Sequence, residues 1–534
     1  MASRDLQDLE PRIVWAHFAT LCAIPRASLR EAALRQHLIA WAQARGIGSA
    51  VDGAGNLILS KAASPGCEAL PGVILQGHLD MVCQANAGTA HDFERDPIRT
   101  VVRDGWLIAE ETTLGADNGI GVALALAALE QPGLVHPPLE VLLTVNEESG
   151  MDGARGLAPG TLRGRTLINL DTEEWGYFYL GCAGGVDVEV RLRPGGAEPS
   201  GAGAGASHLL PQTAGWAGNV SEVRHECARE HVLADYVPVR FDVSGLRGGH
   251  SGIDIHLGRG NAIKLLAEAL RDLAAHSDVR LIEMSGGTAR NAIPREAYAL
   301  CALPSTIAAT IDEWVRHRRE TWRQRLAGAD AGVMFACEHF DTPEPGEAST
   351  PAAGTAIANT ERDRLLAFLD VAANGVARVS EAFPGVTDTS SNLGVLVLDR
   401  DGFKATFKVR ALEDARAEAL ADRLVAHAAS YGLQAWKDGA YPGWTPNPSS
   451  ALLALCRQVY AAQFGTPAGL QVIHAGLECG LLAASHPHLD MISFGPDIRG
   501  AHAPGEAVEI ESVARCWQLL KAVLHALGGH SVVY

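Results

Sequence analysis

Four short, largely apolar runs in the first third of the chain restrict what it can fold into. They lie at residues 56–60, 72–82, 139–145 and 166–171. Such runs, bounded by polar turns, are typical of strands buried on both faces, whereas a strand with one wet face alternates apolar and polar residues. A predicted helix separates the second run from the third. We therefore predict an α/β fold with a mixed, mainly parallel sheet.

Each of the last three runs ends in side chains that can bind a ligand. In chain order these are His78 and Asp80, then Glu147 and Glu148, then Asp171. Ligands of α/β sheets collect at the carboxyl ends of the strands. We therefore expect these imidazole and carboxylate groups to converge at one edge of the sheet.

Two further candidates lie outside these runs. Asp117 stands in the glycine-bracketed turn 115–119, which opens into an apolar, alanine-rich helix. A helix start behind such a turn can hold an anion through its backbone N–H groups, but an aspartate at that place favours a carboxylate ligand instead. His502 follows an apolar run near 490–495, as the other candidates follow theirs.

The seven candidates are imidazoles and carboxylates, without a thiolate. Such a set suits Zn²⁺, Mn²⁺ or Co²⁺ at a catalytic site better than a structural zinc, which favours cysteine. It exceeds the three protein ligands of one catalytic zinc and would suit two ions, about 3.5–4 Å apart, that share one carboxylate. Taken singly, each residue has a plainer interpretation as a hydrogen-bonded histidine, a solvated glutamate or a helix cap. Only their joint placement supports a metal site.

The adjacent pair Glu147 and Glu148 indicates how the roles divide. Neighbouring residues that leave a strand point in different directions. One can therefore bind metal while the other faces the bound water and takes its proton. Asp80, two residues after His78, would lie on the same side of an extended segment and could hold that imidazole in the tautomer that ligation needs.

Charge and composition argue against several classes of protein. The 534-residue chain has 44 basic and 62 acidic residues, a net charge of −18, and no basic run with interleaved aromatics. Nucleic acid and anionic membranes are therefore poor partners. The 10 cysteines include no CxxC pair, and no secretory or membrane-spanning segment is recognisable, so we expect a cytoplasmic protein. GHSG at 249–252 is followed by Ile253 and does not complete GxSxG, which disfavours a serine hydrolase.

The length of the chain predicts two or more domains. Near residue 186 the pattern changes from buried runs to alternating strands mixed with amphipathic helices, and it changes back after a proline-rich turn. We predict a catalytic domain formed by residues 1–186 and 443–534, with an inserted α+β domain at 187–442. Within the insert, the glycine-rich tract at about 194–235 has the composition of a flexible linker.

Motifs along nearly the whole chain, apart from about 194–235, resemble those of the aminoacyl-histidine dipeptidases. This family of Xaa-His dipeptidases, also called peptidase D or bacterial carnosinase, lies within the M20 metallopeptidases. The segments that carry the resemblance are GHLDMV (77–82), TTLGADNGIG (112–121), LLTVNEESGMDGA (142–154), LINLDTEE (167–174), GLRGGHSGIDIHLGRGNAIK (245–264), ARNAIPREA (289–297), HAGLECG (474–480) and SFGPDIRGAH (493–502).

The resemblance implies a zinc-peptidase-like catalytic domain with an inserted α+β lid domain, and two divalent metal ions, with zinc favoured over manganese or cobalt. It also implies a role for each candidate. Asp117 would bridge the two ions, His78 and Asp171 would complete the ligands of one ion, and Glu148 and His502 would complete those of the other. Glu147 would be the general base, and Asp80 would be the carboxylate that supports His78. In the lid, His250 would polarise the scissile carbonyl, and Asn291 and Arg410 would hold the carboxylate end of a small peptide substrate.

The expected reaction is hydrolysis of unblocked dipeptides, preferentially Xaa-His, by metal-bound hydroxide in a monomer or homodimer. Two alternatives stay open: an M20-type deacylase of N-acyl amino acids, and a non-catalytic binding protein of the same fold. The chain departs from the family at Asp388, where a glutamate is usual, and at Ala411-Leu412, where a serine pair is usual. Since the metal and base positions are intact, these departures bear on side-chain preference.

Overall fold

The computed structural model describes residues 6, 8–86, 88–192, 229–232, 235–340, 355–381, 383 and 385–529. The chain forms two compact units. The first unit comprises Met1–Ala183 and Tyr441–Tyr534, and the second unit comprises Gly184–Ala440. The predicted linker tract at about 194–235 lies outside the described residues, except for 229–232 and 235.

The first part of the chain, up to the end of the first segment of the first unit, contains these strands: β1 (Gly48–Val51), β2 (Leu57–Lys61), β3 (Val73–His78), β4 (Val101–Arg103), β5 (Trp106–Ile108), β6 (Leu139–Thr144), β7 (Thr166–Asn169) and β8 (Tyr177–Cys182). Its helices are α1 (Arg12–Ala23), α2 (Ala32–Gln43), α3 (Ala116–Glu130), α4 (Glu147–Gly150) and α5 (Asp152–Gly156).

The strands of the second unit are β9 (Gly184–Leu192), β10 (Arg229–His231), β11 (Tyr236–Ser244), β12 (Gly249–His250), β13 (Arg280–Gly286), β14 (Ala292–Ile293), β15 (Ala297–Pro304), β16 (Met334–His339), β17 (Thr355–Ile357), β18 (Gly375–Val379), β19 (Thr387–Asp399), β20 (Gly402–Ala411) and β21 (Leu433–Tyr441). Its helices are α6 (Ala262–Ala274), α7 (Ser305–Ala308), α8 (Ile311–Arg325), α9 (Asn359–Val371) and α10 (Asp414–Ser430).

The last part of the chain returns to the first unit. It contributes the strands β22 (Gly469–Ile473), β23 (Asp490–Ser493), β24 (Ile498–Arg499) and β25 (Ala507–Glu509). It also contributes the helices α11 (Ala451–Phe464), α12 (Glu478–Ser485) and α13 (Ile510–Leu527).

The main sheet of the first unit has the strand order β1-β2-β6-β3-β7-β23-β8-β22. Its centre is parallel, since β3 runs parallel to β6 and β7, and β7 runs parallel to β23. At one edge, β1 pairs with β2 and β2 with β6 in antiparallel register. Every residue of β3 and β6 is buried, as the continuous apolar runs predict. The predicted α/β fold with a mixed, mainly parallel sheet is confirmed.

Helix α3 is buried all round, and only Asp117 and Glu130 are not fully enclosed. A helix that is apolar on every side must lie inside a protein, and α3 packs against α1, β3 and β6. Gly115 enters it with φ +69°, a conformation that favours glycine. A side chain at position 121 would collide with the carbonyl oxygen of Leu170. Glycine there allows α3 to lie directly against the segment that leads to Asp171.

The second unit is built on a largely antiparallel sheet. Its strand order is β16-β11-β15-β13-β19-β20-β9-β21, with β18 paired to β19. Helix α6 packs on β11 and β15. Its residues Ile263, Leu266 and Leu270 recur at helical spacing and are buried in the core of this unit. Asn261 caps this helix by accepting hydrogen bonds from the backbone N–H groups of Ile263 and Lys264. The α+β character predicted for the inserted region is confirmed.

None of the helices among the described residues combines the length and the apolar character that crossing a membrane requires.

Candidate metal centre

His78 is the last residue of β3, and its buried imidazole faces two carboxylates. Its Nε2 lies 3.0 Å from Oδ1 of Asp117 and 3.3 Å from Oδ1 of Asp171. Asp117 comes from the start of α3, and Asp171 follows β7. The expected convergence of strand ends therefore produces one group of three potential ligands, whose ligand atoms lie within 4.8 Å of one another.

Asp117 also takes part in a second group. Its other oxygen, Oδ2, lies 3.1 Å from Nε2 of His502, and this imidazole nitrogen lies 3.0 Å from Oε2 of Glu148. These three residues again place their ligand atoms within 4.8 Å of one another. Each oxygen of Asp117 therefore faces a different histidine, which is the arrangement that a carboxylate shared by two cations requires.

The donors of the two groups fit divalent metal ions. Imidazole nitrogens and carboxylate oxygens are the ligands that Zn²⁺ and Mn²⁺ take at catalytic sites. Oε1 of Glu148 is buried, and no hydrogen-bond donor reaches it among the described residues. A buried carboxylate oxygen without a partner is costly, and a cation beside it would remove that cost.

The electrostatics of the metal-free groups follow from packing several carboxylates together away from water. Burial raises the pKa of Asp171 to about 6 and raises the pKa of Glu147 well above its usual value. Hydrogen bonds to Asp117 and Glu148 raise the pKa of His502 to about 11. Burial acts to lower the pKa of His78, but the neighbouring carboxylates outweigh it and raise the pKa. Protonated imidazoles thus provide the positive charge when no metal is bound.

Asp80 lies behind His78 and is fully buried. One of its carboxylate oxygens is 3.4 Å from Nδ1 of His78, the ring nitrogen that faces away from Asp117. The same carboxylate accepts hydrogen bonds from the backbone N–H groups of Glu147 at 3.0 Å and Glu148 at 3.1 Å. Ser28 donates a further one at 2.7 Å. Asp80 thus lies against the imidazole and holds the start of α4.

Glu506 supports the turn before Asp117, and sequence reasoning missed it. Its carboxylate is buried and accepts hydrogen bonds from four consecutive backbone N–H groups, those of Leu114 (2.7 Å), Gly115 (2.9 Å), Ala116 (2.8 Å) and Asp117 (3.2 Å). These amides would otherwise be unpaired at the beginning of a helix. The only signal in the sequence was that Glu506 follows His502 by four residues.

Arg26 holds the same turn from its carbonyl side. Its buried guanidinium donates to the carbonyl oxygens of Leu79 at 3.0 Å and Asp80 at 2.8 Å, and also to that of Gly115. It therefore ties the segment after β3 to the turn that carries Asp117. The sequence pattern showed only a break between two helices at this place, so it carried no signal of this role.

Glu478, at the start of α12, is a further buried carboxyl group near the strand ends. Its Oε2 accepts hydrogen bonds of 2.6 Å from Gln76 and from Thr144. Burial raises its pKa to about 7. It lies beneath the candidate ligands, in contact with β3 and β6, and it was not singled out from the sequence.

The three candidates for substrate contact all lie in the second unit. His250 ends β12, and its Nδ1 accepts hydrogen bonds from the backbone N–H groups of Gly252 and Ile253. Its Nε2 lies 3.5 Å from Nη2 of Arg410, in β20. Asn291 is exposed just before β14, the strand that pairs with β12. The second unit therefore brings these three residues into one neighbourhood.

Asp388, at which the sequence departs from the motifs it resembles, is buried in β19. Its carboxylate forms an ion pair with Arg416 and accepts a hydrogen bond of 2.6 Å from Thr389. These partners fix the shorter side chain inside the second unit.

Comparisons with known proteins identify the family of the chain. The profile described as Peptidase family M20/M25/M40 matches residues 74–526. The chain belongs to this family. The cytosol non-specific dipeptidase of Escherichia coli strain K12 is 38% identical over 520 residues, which cover 97% of this chain and 98% of the relative.

Two solved structures are also similar to this chain. The aminoacylhistidine dipeptidase from Vibrio alginolyticus is 37% identical, with 98% of each chain covered and a TM-score of 0.80. Aminopeptidase PepT from Bacillus cereus ATCC 10987 is 14% identical, with a TM-score of 0.51 and coverage of 97% and 99%, and shares the fold alone. The predicted resemblance and the predicted enzyme class, a hydrolase of peptide bonds, are confirmed.

Replacing Glu506 by Gln should weaken metal binding. The amide nitrogen cannot accept, so part of the four-amide cradle before Asp117 loses its partner. Loss of support behind a metal ligand costs about 10–100-fold in metal affinity, and competition with a chelator would measure it. Glu509→Gln, three residues on and partly exposed, is the matched control and should bind as the wild type does. An unchanged affinity in Glu506→Gln would show that the turn does not depend on this carboxylate.

Metal binding should release protons, because His78 and His502 carry raised pKa values in the metal-free protein. A protonated imidazole must lose its proton to become a ligand. The apparent metal affinity should therefore rise as the pH rises through the neutral range. Calorimetric titrations in buffers of different ionisation enthalpy would show the release, and heats that are independent of the buffer would contradict it.

Proposed function

We propose that the protein is a dipeptidase that works with two divalent metal ions and prefers dipeptides of the Xaa-His type. The observation that carries the metal part is the position of Asp117, whose two oxygens face His78 and His502 separately. The dipeptidase part is supported by the two relatives of 38% and 37% identity, whose names describe dipeptidases. The Xaa-His preference follows the name of the Vibrio enzyme, while the Escherichia coli relative is named non-specific.

In this proposal the two groups of ligands hold one ion each and share Asp117. His78 and Asp171 complete one group, and Glu148 and His502 complete the other. When bound, the ions would acidify a water molecule and polarise the scissile carbonyl group. Zinc suits the ligands, and manganese or cobalt would also fit them.

Glu147 is the proposed general base. It starts α4 beside the ligand Glu148, and both backbone N–H groups are held by Asp80. This anchoring fixes the peptide plane between the two glutamates, so that one carboxylate can bind a cation while the other meets the attacking water. Glu147 would take the proton of that water and deliver it to the leaving amine. Asp80 would position both glutamates and His78.

The second unit would supply the contacts that recognise the peptide. We propose that His250 polarises the substrate carbonyl and that Asn291 and Arg410 hold its carboxylate end. These proposed roles are supported by the position of the three residues, which lie close together in the second unit. A cytoplasmic location agrees with the reduced state of the described cysteines and with the name of the Escherichia coli relative.

A panel of substrates tests the proposed activity. The zinc-loaded enzyme should release free histidine from β-alanyl-histidine and glycyl-histidine, with a higher kcat/KM than for dipeptides that end in an apolar residue. N-acetyl-histidine is the matched blocked compound and should be a poor substrate. Preferential release of acetate would show a deacylase instead, and tight dipeptide binding without turnover would show a binding protein.

The Glu147→Gln variant should separate the role of general base from the role of metal ligand. Removing a general base lowers kcat by about 10²–10⁴-fold, while the metal content should stay at the wild-type level because His78, Asp117 and the other ligands are untouched. Glu148→Gln, at the adjacent residue, should instead lower metal occupancy. Metal analysis together with steady-state kinetics distinguishes the two variants. An active Glu147→Gln enzyme would refute the assignment of Glu147 as general base.

A further inference from the structure

The second unit contains a cluster of three side chains of types that can bind a metal ion, and the proposed reaction does not use them. Asp312, Cys337 and His339 place one potential ligand atom each within 4.8 Å of the others. Oδ1 of Asp312 is 3.4 Å from Sγ of Cys337, and Oδ2 of Asp312 is 3.1 Å from Nε2 of His339. The two oxygens of one carboxylate thus face a thiol and an imidazole.

The cluster is carried by a paired strand and a packed helix. Cys337 and His339 are two residues apart on β16 and therefore share one face of the strand. β16 pairs with β11 along its length, and Asp312 lies in the first turn of α8, which packs against β16. The ligand positions are consequently fixed by paired strands and a packed helix, as a metal site requires.

An aromatic cluster locks α8 onto β16 directly beside the three side chains. Phe335, two residues before Cys337, stacks on Phe241 with ring centroids 5.9 Å apart. The same ring contacts Trp314 of α8 at 5.8 Å and Trp322 of α8 at 4.8 Å. Because these large side chains pack the helix against the strand, Asp312 cannot easily move away from Cys337 and His339.

The candidate metal centre of the first unit shows the same spacing between imidazoles and carboxylates. There, imidazole nitrogens lie 3.0–3.3 Å from the carboxylate oxygens of Asp117, Asp171 and Glu148. The distance of 3.1 Å between His339 and Asp312 falls in that range. The three side chains are partly or largely exposed, so an ion could enter from solvent without rearrangement of the fold.

We propose that Asp312, Cys337 and His339 form a separate site for a Zn²⁺-class ion, bound through one thiolate, one imidazole and one carboxylate. Zn²⁺ accepts all three ligand types in tetrahedral geometry, and a water molecule would take the fourth position. A thiolate among the ligands selects against Mg²⁺, Ca²⁺ and Mn²⁺. The ion would join the beginning of α8 to the edge strand of the sheet.

Binding at this site must displace the thiol proton. Burial and the neighbouring Asp312 raise the pKa of Cys337 to about 12, so the thiol is protonated at neutral pH until a cation replaces the proton. Without an ion, the thiol and the imidazole N–H can both donate to Asp312. A hydrogen-bonded trio of this kind is the competing explanation, and a spectroscopic probe separates it from a metal site.

Co²⁺ provides that probe in the full-length protein stripped of metal. A thiolate bound to Co²⁺ gives a sulfur-to-metal charge-transfer band in the near ultraviolet, whereas the candidate ligands in the first unit are only nitrogen and oxygen. The wild type should develop this band on titration with Co²⁺, and Cys337→Ser should lack it. Cys83→Ser, a partly exposed cysteine of the first unit, is the matched control and should retain the band.

Zinc analysis gives the second measurement. After gel filtration the wild type should keep one more equivalent of zinc than Cys337→Ser, while both hydrolyse dipeptides at the same rate. His339→Ala should lose the same equivalent, which guards against a folding defect confined to the cysteine variant. A band that persists in Cys337→Ser, equal zinc contents, or binding weaker than about 1 mM would establish the hydrogen-bonded trio and overturn the site.

Discussion

The placement of carboxylates beside imidazoles at one edge of the main sheet is the constraint on which the rest of the first unit depends. The side chains of Asp117, Glu148 and Asp171 keep only 14%, 6% and 6% of their exposure to water. Carboxylates that lose water need cations or hydrogen-bond donors in return. His78 and His502 supply positive charge in the metal-free protein, and divalent ions in the proposed enzyme would replace their protons.

The ligands keep their positions only if the backbone that carries them is held in place. At Asp117 this backbone is neither regular helix nor regular strand. Two buried charged groups hold this backbone from opposite sides. The carboxylate of Glu506 takes the N–H groups of the turn, and the guanidinium of Arg26 takes the carbonyl groups around it. Every buried backbone polar group must find a partner. These two side chains supply the hydrogen bonds that the backbone of the turn would otherwise lack.

The second unit follows the same physical rule with different chemistry. Its own core packs α8 against β16, and that packing brings Asp312 to Cys337 and His339. In both units an imidazole faces a carboxylate that is carried by a separate element. A thiol takes the place of the additional carboxylates in the second unit, and a thiolate ligand favours Zn²⁺ over Mn²⁺ at the proposed site.

Local patterns in the sequence were sufficient for the sheet and for the candidate ligands. Continuous apolar runs mark strands buried on both faces, and the residues at their carboxyl ends must meet at one edge, so His78, Glu148 and Asp171 could be found without coordinates. The motifs of the chain also indicated the family. These signals are short-range or repeat along an element, which is why they can be read from the chain itself.

Tertiary structure alone decided how those ligands are supported. Glu506 reaches amides about 390 residues earlier in the chain, and Asp80 caps the backbone of Glu147 across 67 positions. The trio around Asp312 likewise joins a helix to a strand that is 25 residues further on. The sequence by itself determined which strands are buried and which side chains end them, because burial leaves a local pattern. Only the folded chain decided which buried charges meet, because hydrogen bonds between distant segments leave no local pattern in the sequence.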